Sequence, residues 1–195
     1  TLGILLIILG VAMMVPVVFQ LIYDEFDYTF ITSGIITITF GILFFLSNID
    51  HLKLINTQQA FLLTALSWLC IATFGSLPFF FSQLDLSITD SFFESMSGIT
   101  TTGATILNNI ESSPKGILMW RSMLQWLGGI GVILMAITLM PIMNIGGMQL
   151  LKISAYDTSD KILPKSKEIS KRLITVYITL TFLCALFYKI FGMNN

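Results

Sequence analysis

Apolar residues in this chain come in long blocks. Leu2 to Phe19 carries no charge, with Pro16 near its end, and Phe30 to Ile49 is also uncharged. Leu54 to Leu84 contains no charge, and its apolar part covers about Ala60 to Phe81. Ser122 to Leu151 is uncharged, and Pro141 is expected to end or kink it. Leu173 to Met193 carries only Lys189, close enough to its end to snorkel into water. A hydrocarbon core of about 30 Å takes about 20 apolar residues of helix. The pattern therefore predicts an all-α integral membrane chain with five transmembrane helices.

Composition excludes the soluble alternatives. Of 195 residues, 55% are apolar and 11% charged, where a soluble domain carries about 25% charged residues. Mean hydropathy is +0.87, and 10 Lys and Arg against 11 Asp and Glu leave a net charge of −1. Neither a basic nucleic-acid face nor a solvated enzyme surface can be built from so few ions. Cys70 and Cys184 lie in apolar stretches without a CxxC pair, so both read as small buried hydrophobes. No n-region or A-x-A site precedes the first block, which is therefore not read as a signal peptide. The first residue is Thr1, and the chain is expected to be cut from a longer one.

Loop charges set an orientation. The turn with Asp24, Glu25 and Asp27 has no Lys or Arg, and the Asp50–Lys53 turn has Lys53. Leu84 to Pro114 has none, with Lys115 and Arg121 following. Pro141 to Arg172 holds six: Lys152, Lys161, Lys165, Lys167, Lys171 and Arg172. The positive-inside rule places that segment in the cytoplasm, and threading back places the N-terminus there too.

Ser87 to Ile110 fits neither a span nor a wet loop. Ser91-Phe92-Phe93-Glu94 fits a capping box at a helix start, and Gly98 is a plausible stop. That helix would be roughly 14 Å long, about half a membrane. The following run, Ile99-Thr100-Thr101-Thr102-Gly103-Ala104-Thr105, is too polar to span. Non-helical backbone at membrane depth survives where protein buries it or where it lines a water-filled path. A re-entrant pore loop follows from this. Backbone carbonyls and Thr hydroxyls without carboxylates suit a weakly held monovalent cation rather than Ca²⁺. A helix C-terminus aimed inward adds partial negative charge. The plainer reading is a polar surface turn between two helices.

Phe92 through Thr105 resembles the first pore loop of the Trk/Ktr/HKT potassium transporters in their bacterial Trk form. Trp120-Arg121-Ser122-Met123-Leu124-Gln125-Trp126-Leu127-Gly128-Gly129-Ile130-Gly131 and Gly146-Gly147-Met148-Gln149-Leu150 resemble the family as well. The resemblance implies four repeats of outer helix, pore helix, filter and inner helix around one pore, as in potassium channels. It implies an N-terminal helix pair in residues 1–52 and a first repeat in 53–150. A cytoplasmic connector in 151–172 and the outer helix of a second repeat in 173–195 would follow. The carbonyls of Thr101, Thr102, Gly103 and Ala104 would then line a potassium filter. Gly at position 103 is the potassium-type choice, where some sodium-preferring plant relatives carry Ser. A homodimer, a cytosolic nucleotide-binding regulatory subunit and a bacterial inner membrane are implied likewise, with potassium as cargo and no cofactor. Only one of the four filter loops is present, so an N-terminal fragment of a longer chain is expected.

Other residues have competing readings. Gly128, Gly129 and Gly131 suit close packing of the inner helix on the pore helix. Arg121 either snorkels or pairs with Glu94 across the membrane. Lys161 to Arg172, with Asp157, Asp160 and Glu168 nearby, reads as a solvated cytoplasmic face or as a docking site for the regulatory subunit. Pro141 and Gly146-Gly147 read as a hinge or as helix-end punctuation. Ser95-Met96-Ser97-Gly98 faintly resembles the serine loop of rhomboid proteases. The sole histidine, His51, falls on the opposite side, so no general base is expected beside that serine and no enzyme is read. Two alternatives stay open: a secondary transporter with a re-entrant loop for another monovalent cation, and a structural membrane module without transport.

Overall fold

The computed structural model describes residues 1–47, 57–107, 110, 113–143 and 162–192, and of 57, 136–143 and 162–169 the backbone only. The regular elements among them are α-helices. Five stretches are long and apolar enough to cross a membrane: Leu2–Ile22, Thr29–Leu46, Gln58–Phe81, Lys115–Met135 and Ser170–Ile190. They fall where the apolar blocks predict spans. The Asp50–Lys53 turn with His51, the Gly146–Leu150 stretch and the connector from 151 to Lys161 lie outside the described residues.

Two spans are interrupted by proline. The first is α1 (Leu2–Ala12) followed by α2 (Met14–Ile22), separated at Met13. Pro16 has no N–H for the Ala12 carbonyl, so the ladder loses a bond there. Then comes α3 (Thr29–Leu46). The third span is α4 (Thr57–Gly75) and α5 (Leu77–Phe81), separated at Ser76 because Pro78 cannot donate to Phe74. A shorter helix, α6 (Ile88–Ile99), precedes the long α7 (Lys115–Met143). Of the two readings of Pro141, a helix end or a kink, the end does not hold: α7 continues through it to Met143. Membrane helices tolerate proline where the freed backbone groups find other partners. The last helix, α8 (Ile162–Ile190), is continuous, so the basic residues from Lys165 to Arg172 occupy its first turns.

The chain divides into two compact units, Thr1–Gly129 and Ile130–Asn195. In the first, α1 and α3 pack antiparallel at backbone contact. A Cβ on Gly3 would lie 2.6 Å from the Gly41 carbonyl oxygen, and one on Gly10 would lie 3.1 Å from that of Gly34. Seven residues separate the glycines on each helix, so each pair repeats along one face after two turns. Without a hydrophobic force between helices in lipid, such close van der Waals approach drives association. The core gathers Leu6, Leu9, Phe30, Phe79, Ile117, Trp120 and Leu124 from α1, α3, α5 and α7, with Met13 from the α1–α2 junction. In the second unit, Ile130, Ile133 and Leu134 face Leu173, Ile174 and Tyr177 across a small apolar crevice. Cys184 is exposed and Cys70 half-buried, and both thiols are free; neither is the fully buried hydrophobe expected.

Gly41→Leu should force α1 and α3 apart, at about 1–3 kcal/mol for an overpacked contact. Thermal unfolding of the full-length protein in detergent should show a lower midpoint, while the exposed Leu43→Ala change should leave it nearly unmoved.

Candidate functional site

The polar segment from Ser87 to Leu107 is built on α6. Its N-cap is Ser87, in extended backbone (φ −65°, ψ 163°), whose hydroxyl accepts the Asp90 N–H at 3.1 Å and donates to the Asp90 carboxylate at 2.7 Å. The start therefore lies one turn earlier than Ser91-x-x-Glu94 suggests. Both quartets carry a hydroxyl three residues ahead of a carboxylate, and Ser87 alone has the cap geometry. The helix has 12 residues, so it is about 18 Å long at 1.5 Å per residue, still short of the bilayer. Ser91, Glu94, Ser95 and Ser97 are buried on it.

After Thr100 the chain leaves the helix and folds back over its end. The Thr102 and Gly103 N–H groups both donate to the Ser97 carbonyl, at 3.0 and 3.4 Å. The Ser97 hydroxyl donates to the Ala104 carbonyl at 2.6 Å. Ser97 thus closes the turn with three bonds, a role not visible in the sequence, where it is one of several serines. Thr101 (φ 58°) and Gly103 (φ 77°) are left-handed, with Thr102 between them at negative φ. For a β-branched residue such as Thr101 this is an outlier costing about 1–3 kcal/mol. At Gly103 a Cβ would meet only Gln125 Nε2, at 4.0 Å, so it is the backbone angle rather than crowding that asks for glycine.

The returning segment is anchored to one carboxylate. Glu94 is fully buried and ion-paired with Arg121, Nε to Oε2 at 3.2 Å. Its Oε1 accepts the Thr105 hydroxyl at 2.5 Å and the Ile106 N–H at 2.7 Å. Arg121 also donates Nη2 to the Gly103 carbonyl at 3.2 Å. The pairing reading of Arg121 is the one the geometry bears out. Arg121 is set on α7 by close packing against α6: a Cβ on Gly128 would run into the Ile99 carbonyl oxygen, and one on Gly98 would meet Leu124 Cβ at 3.0 Å. Trp120 beside it donates Nε1 to the Gly75 carbonyl at 2.9 Å, next to the α4–α5 break.

The four residues singled out as ion ligands are contiguous and exposed. The Gly103 and Ala104 carbonyls each accept one bond, from Arg121 and Ser97 respectively. The Thr101 and Thr102 carbonyls have no hydrogen-bond partner among the described residues. The Thr100 hydroxyl donates to the Met96 carbonyl at 2.7 Å, so in the 2.8 Å contact between the Thr100 and Thr102 hydroxyls Thr102 is the donor. The Thr102 oxygen keeps its lone pairs for another ligand.

These features define a helical membrane protein with a capped, half-length helix and a tethered, carbonyl-bearing return between two spans. The chain belongs to the TrkH cation transport protein family, whose model matches residues 27–194. It is 39% identical to the Trk system potassium uptake protein TrkH of Halomonas elongata, over 99% of this chain and 41% of that protein. It is 37% identical to the protein of the same description in Escherichia coli K12, over 98% of this chain and 41% of that one. The crystal structure of the potassium transporter TrkH from Vibrio parahaemolyticus superposes with a TM-score of 0.84 at 34% identity, covering 98% of this chain and 38% of that one. This chain thus spans about two fifths of the length of the relatives it matches.

Replacing Arg121 by Gln should leave Glu94 buried and uncompensated, at about 3–5 kcal/mol. Ser97→Ala should cost less, about 1 kcal/mol for one buried hydrogen bond. Thermal unfolding of the two full-length variants in detergent should rank them in that order below the wild type.

Proposed function

We propose that this chain is the N-terminal part of a Trk-type potassium uptake protein. In this reading α6 is a re-entrant pore helix, and the Thr101, Thr102, Gly103 and Ala104 carbonyls form one of four walls of a selectivity filter. The observation that carries it is the pair of open carbonyls at Thr101 and Thr102. They stand on an exposed segment just past the C-terminal end of α6, in a turn held by Ser97 and Arg121. Carbonyl oxygens so placed can replace the hydration shell of a monovalent ion. The helix end beside them supplies partial negative charge without a carboxylate. The relatives' description as Trk system potassium uptake proteins supports potassium as the cargo.

The orientation follows from the loop charges, with the N-terminus and the basic first turns of α8 in the cytoplasm of a bacterial inner membrane. A homodimer and a cytosolic nucleotide-binding subunit complete the proposed assembly. The mechanism asked of this chain is positional. Glu94, Arg121 and Ser97 fix the loop, so an entering ion meets preset oxygens and the loop pays little further ordering entropy.

Two substitutions in the full-length protein test the filter. Gly103→Ser strains the left-handed position, and it should lower potassium-over-sodium discrimination by about tenfold, equivalent to about 1.4 kcal/mol. Thr102→Val removes a hydroxyl at nearly constant volume and should raise the potassium KM. Uptake assays in cells lacking other potassium transporters measure both. Wild-type uptake with neither variant altered would sink the filter assignment.

A further inference from the structure

The outer turn between α2 and α3 does more than reverse the chain. Asp24 adopts left-handed backbone (φ 56°), and the Glu25 N–H donates to the Gln20 carbonyl at 2.9 Å. This six-to-one closure is a Schellman ending, and it carries Glu25 off the axis of its own helix. The Glu25 carboxylate then accepts the backbone N–H of Lys115 at 2.8 Å, across a separation of 90 residues.

Lys115 is the first residue of α7, and its N–H is one of the four that a helix start leaves without an internal acceptor. The preceding Pro114 carbonyl accepts the Ile117 and Leu118 N–H groups, at 3.0 and 3.1 Å. Pro114 has no side-chain oxygen to offer the donors of this helix start. The acceptor arrives from a distant element instead, with a negative charge that suits the positive end of the helix.

Two further contacts register the same helix pair on the first two turns of α7. Gly116 lies so close to α2 and α3 that a Cβ would sit 2.8 Å from Gln20 Cγ and 3.0 Å from Phe30 Cε2. Phe30 packs edge-on against Trp120, with ring centroids 6.3 Å apart. The next residue is Arg121. A shift of α7 by one residue would turn it by about 100° and move it about 1.5 Å along its axis. Either movement would break the 3.2 Å bonds from Arg121 to Glu94 and to the Gly103 carbonyl.

We propose that Glu25 is a positioning residue for the ion path. From outside the first repeat it fixes where α7 begins, and through α7 it sets the register at which Arg121 holds the Thr-Gly return. The proposal makes the N-terminal helix pair part of the selectivity apparatus rather than an added membrane anchor, and it rests on the filter reading given above.

The test uses the full-length protein as wild type, Glu25→Ala and Glu25→Gln. Gln keeps an acceptor for the Lys115 N–H, whereas Ala removes it. Potassium uptake should show a KM raised, or potassium-over-sodium discrimination lowered, by roughly fivefold in Glu25→Ala, the size of a lost cap. Glu25→Gln should stay within about twofold of wild type. Hydrogen exchange should be faster at the start of α7 in Glu25→Ala and near wild type in Glu25→Gln. Unchanged exchange and unchanged transport in Glu25→Ala would overturn the proposal. So would Glu25→Gln behaving like Glu25→Ala, or a fall in protein level alone with KM and discrimination intact. If Glu25→Ala does not accumulate, wild-type-like KM, discrimination and exchange in Glu25→Gln support the proposal, and altered values overturn it. A wild type that carries no potassium would count against the filter reading, while the exchange measurement would still decide whether Glu25 clamps α7.

Discussion

A carboxylate sealed from water inside an apolar bundle is unfavourable by several kcal/mol unless its charge and lone pairs are met. Glu94 is such a group, and the meeting of its demands organises the polar part of this fold. One oxygen takes the Arg121 guanidinium; the other takes a hydroxyl and a backbone N–H from the returning segment. Three pieces of the chain are thereby made mutually dependent: α6, the Thr-Gly return that follows it, and α7. Release of any one leaves a buried group unpaired, so the arrangement stands or falls as a unit.

That dependence explains how a short non-helical run persists where its own backbone preferences oppose it. Thr101 and Gly103 both hold left-handed backbone, and Thr101 does so against the steric preference of a β-branched side chain. The compensation comes from the Ser97 bonds on one flank and the Glu94 bonds on the other. Strain of this kind concentrates at functional sites, where surrounding structure over-determines the conformation.

Much of this was legible in the sequence because charge is scarce in it. Five apolar blocks of near-bilayer length, four of them uncharged, admit few arrangements, and a lone intramembrane Arg with a lone nearby Glu invites pairing. The failures have equally physical causes. Two consecutive hydroxyl-x-x-acid quartets, Ser87–Asp90 and Ser91–Glu94, compete for one helix start, and only the extended backbone at Ser87 separates them. Pro141 resembles a helix end, yet a membrane helix has reasons to continue that a soluble one lacks. The roles of Ser97, Thr105 and Ile106 depend on how the chain turns after Thr100, which no periodicity encodes. Glu25 was read only as part of an acidic outer turn, because the donor it serves is a backbone N–H with no signature in side-chain chemistry.

The neutrality of the Glu94–Arg121 pair bears on which ion such a loop would favour. A carboxylate alone behind exposed carbonyls would impose a net negative field, and divalent cations gain twice as much from that field as monovalent ones. With Arg121 at 3.2 Å the formal charges cancel. What remains at the exposed segment is the weaker field of peptide dipoles and the C-terminal end of α6. In the proposed filter an ion would have to be bound firmly enough to shed water and loosely enough to leave. A buried, cancelled ion pair supplies rigidity without deepening the site, and this is why a loop with no charged residue between Ser95 and Ile110 can still rest on a charged foundation.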